Sequence, residues 1–190
     1  MDMQNKRNSL IVAAALAAAL SGCSGELANN SSPVELVVTN TQTISRIDLA
    51  GGAGCTGTVG AINMTVIPKN GSAIGDFLQV RVTRYRVSYQ RTDGGSQVPQ
   101  SFVRATDQLL SVGSSASPLS NLVVLETDAI NQSPFAALLP QNGGRDPVTG
   151  RPVVQMDVIV EIFGETLSGD RVYDATRFPL DFCYQCNGCQ

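Results

Sequence analysis

The amino-acid sequence predicts a mainly β protein, a single antiparallel β-sandwich of about seven strands over residues 33–190. Two observations support this fold class. Short segments in which every second residue is apolar recur at roughly the spacing of sandwich strands. Turn sequences rich in Gly, Pro, Asn and Asp separate these segments, and helical periodicity is almost absent after residue 33. A body of this length can bury a hydrophobic core of its own.

The last two candidate strands form the clearest hairpin. The even positions from Val154 to Ile162 are all apolar, Leu167–Asp170 has the composition of a turn, and Val172–Phe182 returns. Because Pro179 has no N–H to donate, the final strand is expected to have a free edge there. The seven candidates in chain order are 33–39, 59–67, 77–90, 100–105 (a short edge strand), 119–125, 154–163 and 172–182.

The third candidate strand changes the side on which its apolar residues lie. They occupy even positions up to Val82 and odd positions from Tyr85 onward. Because strand side chains alternate with a period of two, this switch predicts a bulge or a change of sheet near Thr83–Arg84. The arginines of this strand that are expected to face solvent are Arg81, Arg84 and Arg86.

One short helix is expected, at Phe135–Leu139. Ser133 has the chemistry of an N-cap, and Pro134 suits the first helical position. The stretch that follows, 141–152, consists of turn-forming residues throughout.

The predicted body resembles an immunoglobulin-like or fibronectin-like sandwich in its number of strands and its final hairpin. The chain contains no Trp, so the core Trp of antibody domains is missing, and so is their pair of Cys residues. The resemblance therefore implies an architecture and no particular activity.

The first 22 residues have the order of a cleaved export signal. Lys6 and Arg7 form a short positive region, and the apolar run 9–20 that follows is about a dozen residues long. This run is shorter than the roughly 20 apolar residues that a bilayer-spanning helix requires.

The run ends in Leu20, Ser21, Gly22 and Cys23, an order that resembles the lipobox of bacterial lipoproteins. In that family the Cys is acylated on its sulfur, the peptide is cut just before it, and the new N-terminus is acylated too. The resemblance implies that Cys23 is the lipid-bearing first residue of the mature protein. An ordinary secretory signal with an incidental Cys is the alternative.

The lipobox sets the expected organisation of the chain. Residues 1–22 would be the signal, 23–32 the lipidated Cys with a flexible tether, and 33–190 the β domain. More than one acyl chain holds a protein durably on a membrane. An Asp directly after the Cys resembles the inner-membrane retention mark of Gram-negative lipoproteins, and position 24 is Ser. In a Gram-negative cell envelope this favours the outer membrane.

The charge of the chain limits its partners. Loss of the signal removes two of 13 basic and one of 16 acidic residues, which leaves the mature chain with a net charge of −4. A mildly acidic protein has no basic footprint for nucleic acid or anionic lipid, and Lys69 is the only mature lysine. We therefore expect no nucleic-acid partner, and contact with the membrane through lipid on Cys23.

The chain contains no His. This excludes Ser-His-Asp and Cys-His nucleophile pairs, His-ligated zinc and covalent c-type haem. No cofactor is indicated.

Four Cys residues remain beyond the lipobox, and disulfides are the first interpretation in an exported protein. The expected pattern joins Cys55 to one of the three C-terminal Cys residues and closes the other two locally. A four-thiolate metal site and a redox-active Cys-x-x-Cys pair remain alternatives. The four candidates are Cys55, Cys183, Cys186 and Cys189.

Other patterns that suggest chemistry have simpler explanations. Residues 52–57 match G-x-G-x-x-G, but a strand candidate follows where a dinucleotide site needs a helix. Loop carboxylates could bind calcium, although turn formation is the commoner role of such residues. Asp157 and Glu161 are expected on a solvated strand face. The loop carboxylates in question are Asp146, Asp170 and Asp174.

Together these features favour a lipid-anchored envelope protein that acts as a non-enzymatic binding or structural module. The expected partner is another envelope protein, which could pair with an exposed strand edge. The alternative is an envelope enzyme, or a metal or redox protein, that uses loop carboxylates or the C-terminal Cys cluster. The lack of His and of a nucleophile constellation argues against an enzyme.

Overall fold

A computed structural model describes residues 31–41, 44–51, 58–59, 62–71, 75–120 and 122–186. The predicted signal, the lipobox and most of the tether lie outside these ranges, as do Cys55 and Cys189. Within them the chain is mainly β-strand, as predicted. The strands are β1 (Val34–Asn40), β2 (Arg46–Asp48), β3 (Thr58–Val59), β4 (Ile62–Pro68), β5 (Val80–Arg91), β6 (Phe102–Leu110), β7 (Ser117–Leu119), β8 (Leu122–Val123), β9 (Val153–Thr166) and β10 (Arg171–Cys183).

The strands form three sheets. A three-stranded sheet has the order β1-β4-β7, a five-stranded sheet the order β2-β10-β9-β5-β6, and β3 pairs with β8. The five-stranded sheet curls into a half-barrel. Apolar side chains from both larger sheets enter one hydrophobic core. Among the described strands, only the pairing of β2 with β10 departs from the predicted antiparallel arrangement.

The predicted final hairpin is confirmed as β9 and β10, which pair from Arg171↔Glu165 to Cys183↔Val153. The even-numbered apolar residues of β9 are all fully buried. On its other side β10 pairs with β2 only over Asp181–Cys183. The ladder therefore begins beyond Pro179, as the missing N–H of that residue requires.

The change of apolar phase in β5 is a bulge, one of the two predicted explanations, and not a change of sheet. The register of β5 shifts between Val82 and Arg84 against both β6 and β9, and Thr83 is the residue between them. The bulge allows Val82 and Tyr85 both to be buried. Gly164 pairs with Val82, and a Cβ there would lie 2.9 Å from the carbonyl oxygen of Arg81. The bulged strand thus approaches β9 so closely that a side chain at position 164 would force the neighbouring backbone to shift.

Several segments differ from the predictions. The candidate 119–125 is divided between β7 and β8, because the chain changes sheets there. The candidate 100–105 is an edge strand, but it extends to Leu110. The short helix is a 3-10 helix, Phe135–Leu138, and Ser133 does not cap it. Its hydroxyl instead contacts the side chain of Gln97. The other described 3-10 helices are Asp76–Leu78, Thr127–Asn131 and Pro140–Asn142.

The helix at Phe135–Leu138 closes one end of the core. Phe135 is fully buried, and its ring centroid lies 4.9 Å from that of Phe182 on β10. Aromatic pairs at this distance add to the stabilisation from apolar burial alone. In the described part of the chain, no helix has the length and apolar character that crossing a bilayer requires.

Candidate functional site

A groove of about 420 Å³ lies on the outer face of the five-stranded sheet. The bulge of β5 forms one side of it, and β9 and the first residues of β10 form the floor and the opposite side. Side chains at outward positions of three neighbouring strands meet there. Its lining residues are Thr83, Arg84, Arg86, Glu161, Phe163, Gly164, Glu165, Arg171, Val172 and Tyr173.

One end of the groove is a fixed arrangement of Arg86, Glu161 and Tyr173. Arg86 donates two hydrogen bonds to the Glu161 carboxylate, Nη2 to Oε1 at 2.7 Å and Nε to Oε2. The Tyr173 hydroxyl donates to Oε1 at 3.0 Å. Glu161 is only 9% exposed, so the expectation of a solvated residue was wrong. Asp157 is partly exposed and pairs with Arg177 at 3.7 Å.

These contacts set the protonation states of the acid and the phenol. Burial alone would raise the pKa of Glu161, but the hydrogen bonds from Arg86 and Tyr173 lower it below its ordinary value. Burial and the hydrogen bond to Glu161 raise the pKa of Tyr173 to about 12. At neutral pH this end of the groove therefore presents a paired carboxylate and a phenol that keeps its proton.

The other end of the groove carries cationic groups with fewer contacts. The guanidinium of Arg84 lies 4.9 Å from the ring centroid of Phe163, which in turn lies 5.2 Å from the ring of Tyr173. Arg171 is exposed and pairs across the strands with Glu165 in the backbone register. Among the described residues, no carboxylate oxygen lies within 4.0 Å of a side-chain nitrogen of Arg84 or Arg171.

The exposure of Arg84 and Arg86 was predictable from the pattern of β5, but the groove was not. Arg81, Arg84 and Arg86 of β5 are exposed, as expected. Arg171 and Tyr173 are some 90 residues further along the chain, and only the strand register brings them to the same surface. Alternating charged and aromatic residues on the outer positions of β9 and β10 were the available signal.

A second candidate surface is the edge strand β6, which pairs only with β5 among the described strands. Val103 and Leu109 are 57% and 54% exposed on its outer face. Both of its charged residues pair with other side chains of the same chain. Asp107 accepts two 2.7 Å hydrogen bonds from Arg81. Arg104 donates two, of 2.9 and 3.0 Å, to Glu126. The edge therefore lacks the unpaired charges that commonly prevent edge-to-edge association.

Asp146 belongs to a buried ion cluster and not to an exposed turn. Arg91 donates to both oxygens of Asp93 at 2.7 and 2.8 Å and lies 3.2 Å from Asp146. The three side chains are at most 3% exposed. Asp146 also accepts the backbone N–H and the hydroxyl of Thr149. The cluster thus joins the end of β5 to the loop before β9.

Backbone donors compensate the excess negative charge of this cluster. Asp93 accepts the N–H groups of Gly95 and Gln155, each at 3.0 Å. Burial alone would raise its pKa, but these bonds and the Arg91 guanidinium lower it to about 2. The pKa of Asp146 is lowered as well, since Arg91 and Thr149 outweigh its burial.

The other two candidate carboxylates, Asp170 in a turn and Asp174 within β10, are also bound to protein groups. Asp170 accepts hydrogen bonds from Thr166 and Ser168 in the turn between β9 and β10. Asp174 accepts the backbone N–H of Val38 at 2.6 Å and so links β10 to β1. The structure places these two residues and Asp146 in separate surroundings, and in the described ranges no three Asp, Glu or Cys side chains converge as metal ligands.

The first two C-terminal Cys residues, Cys183 and Cys186, form a local disulfide. Local closure of one pair was part of the predicted pattern. The buried Asp48, at the end of β2, accepts the N–H groups of Gln185 and Cys186 at 2.9 Å each. Gln185 and Cys186 are thereby held next to Asp48 and Ala50, a few residues before Cys55, for which a covalent link to the C-terminal Cys residues was predicted.

Comparison of the chain with protein-family models, with curated proteins and with solved structures gave no match. The groove, the edge strand β6 and the chemistry of the sequence therefore carry the functional argument.

Proposed function

We propose that this protein is a lipid-anchored envelope protein that binds an extended strand of another envelope protein along β6. It is a binding module and not an enzyme. The observation that carries this proposal is the edge of β6, nine residues long, with its two charges bound internally and two large apolar side chains exposed.

Strand addition suits this edge for physical reasons. A partner strand would satisfy the backbone N–H and C=O groups of β6 that face away from β5. Val103 and Leu109 would give it apolar contacts on the outer face. Because Arg104 and Asp107 are already paired with Glu126 and Arg81 at the surface, the partner need not supply a charge of its own.

The lipobox is the sequence feature that supports the lipid anchor. Such an anchor keeps the module close to membrane-bound partners. A tether of about ten residues raises the local concentration of two proteins that share one surface. Mass spectrometry of the protein from its own bacterium should find an acylated N-terminal Cys23, and Cys23→Ser should move the protein out of the membrane fraction. An unmodified Cys23 in membrane-bound protein would exclude the anchor.

Photo-crosslinking tests the edge separately from the anchor. A photoreactive residue in place of Val103 or of Leu109 should crosslink to one partner segment, at points about 20 Å apart if that segment is extended. A crosslinker at Val148, equally exposed at 56% but in a loop, is the control. Crosslinks to a second copy of this chain, or equal yields at Val148, would refute the proposal.

Substitution provides the matching functional test. Val103→Lys should abolish the crosslink formed from Leu109, because a charge at the edge opposes strand addition. Val148→Lys should leave it intact. Because both side chains are exposed, neither substitution should change the free energy of unfolding by more than about 0.5 kcal/mol.

We also propose that the two larger sheets have an immunoglobulin-like arrangement. The shared core of the three- and five-stranded sheets supports this. An experimental structure would test it through the angle between the strands of the two sheets, which is about −30° in aligned sandwiches.

A further inference from the structure

The cationic end of the groove contains two arginines without an acidic partner in the described part of the chain. Arg86 is bound to Glu161, whereas Arg84 and Arg171 have no acid partner among the described residues. Glu165 is the remaining carboxylate at the rim. The groove as a whole therefore carries a net charge of +1 on a mature chain of net charge −4.

The two arginines approach the groove from opposite sides. Arg84 lies on β5 and Arg171 on β10, with β9 between them. Strand spacing and rise place their Cα atoms about 12 Å apart, so that long side chains from both can reach one group bound between them. Phe163 lies under Arg84 and limits the directions from which that guanidinium can donate.

The number of donors favours phosphate over carboxylate. A carboxylate has two oxygens, which one guanidinium fork occupies in a bidentate pair. A phosphomonoester has three terminal oxygens and can accept from both forks at once. Its charge of nearly −2 at neutral pH also matches two guanidinium groups.

We propose that this groove binds the phosphate group of a phosphomonoester through Arg84 and Arg171. The Arg86–Glu161–Tyr173 arrangement forms the fixed wall beside the bound phosphate. Glu165 weakens the binding by repulsion and thereby sets its strength. The site is separate from the edge of β6 that the proposed protein partner uses, and it is tested without that partner.

The probe is phenyl phosphate, titrated by NMR or calorimetry into the full chain in non-ionic detergent. We expect saturable binding with a dissociation constant of about 1 mM or lower. Arg84→Gln and Arg171→Gln should each weaken it about tenfold, and Glu165→Gln should strengthen it a few-fold. Arg177→Gln is the matched control, because Arg177 is an exposed arginine on the same strand as Arg171 but outside the groove.

A second arm separates two sources of the phosphate group. Soluble dihexanoyl phosphatidic acid that binds more tightly than phenyl phosphate would assign the groove to a lipid headgroup. Equal affinity would assign it to a free phosphomonoester. Benzoate should bind at least tenfold more weakly than either, because it cannot satisfy both arginines.

Three results would overturn the proposal: no saturation up to about 10 mM phenyl phosphate, equal binding by the Arg84→Gln, Arg171→Gln double variant, or equal binding of benzoate. Thermal melts of each variant show whether it is folded. Because both arginines are exposed, a folded variant that still binds phosphate would place the site elsewhere.

Discussion

The carboxylate of Asp48 accepts a 2.9 Å hydrogen bond from the backbone N–H of Cys186, 138 residues away in the sequence. The same carboxylate accepts the N–H groups of Ala50 and Gln185. One buried side chain therefore holds the disulfide-closed turn at the end of β10 against the residues that follow β2.

Replacement of Asp48 by Ala should destabilise the protein by about 2–4 kcal/mol, because three partly buried hydrogen bonds to backbone N–H groups are lost together. Urea denaturation would measure the loss. Asp128→Ala, at an exposed position, should change the free energy of unfolding by less than about 0.5 kcal/mol. Equal stability of the two variants would show that the tail does not depend on Asp48.

Acid should destabilise the Arg91–Asp93–Asp146 cluster. The pKa of Asp93 is lowered from 3.8 to about 2 in the folded state, so its stabilising contribution is complete above pH 4 and is lost as the pH falls toward 2. Thermal melts between pH 2 and pH 6 would show this as a falling midpoint. Asp93→Asn should be less stable at pH 6 but less sensitive to acid, and an unchanged slope would refute this assignment.

Removal of Arg91 from the Arg91–Asp93–Asp146 cluster should lower the free energy of unfolding more than removal of an exposed arginine. Arg91→Met leaves two carboxylates buried with no countercharge, which typically costs about 3–5 kcal/mol. Arg177→Met removes an arginine whose side chain is 64% exposed and should cost less than about 1 kcal/mol. Denaturant unfolding of both variants gives the comparison, and similar losses would contradict it.

Gly164→Ala should destabilise the sheet at the bulge by about 1–3 kcal/mol, since the new methyl group would contact the carbonyl oxygen of Arg81. Gly71 is the control, because a Cβ there meets no atom within 4 Å. Gly71→Ala should be close to neutral. If the two alanine variants are equally stable, the close approach of β5 to β9 does not explain the glycine at position 164.

The disulfide pattern can be checked by peptide mapping under non-reducing conditions. A peptide closed by Cys183–Cys186 is expected. The predicted pattern of one local and one long-range bridge then leaves Cys55 to pair with Cys189. Free thiol at Cys55 in the folded, exported protein would contradict the long-range bridge.

Local patterns in the sequence were enough to predict much of the fold. The alternation of Val154 to Ile162 located β9, and the phase change between Val82 and Tyr85 located the bulge, because both depend only on the two-residue period of a strand. The division of 119–125 between two sheets was not predictable in this way, since it depends on which distant strands lie nearby.

The candidate sites depend on contacts between distant side chains, which local patterns do not reveal. Glu161 occupies an outward position, and only its contacts with Arg86 and Tyr173 make burial favourable. The partners of Arg91, at positions 93 and 146, come from two loops whose approach no periodicity reveals. Ser133 has the chemistry of an N-cap, but its hydroxyl contacts Gln97 on another loop instead.

The pairing of β1 with β4 has a mechanical consequence. β1 is in register with β4 over its full length, from Val34↔Pro68 to Asn40↔Ile62. A pull directed along the axis of β1 through the residues before Val34 would load these hydrogen bonds in shear, so that many must break together. If a membrane holds the leading end of the chain, the first strand resists being unzipped by a bound partner that moves away.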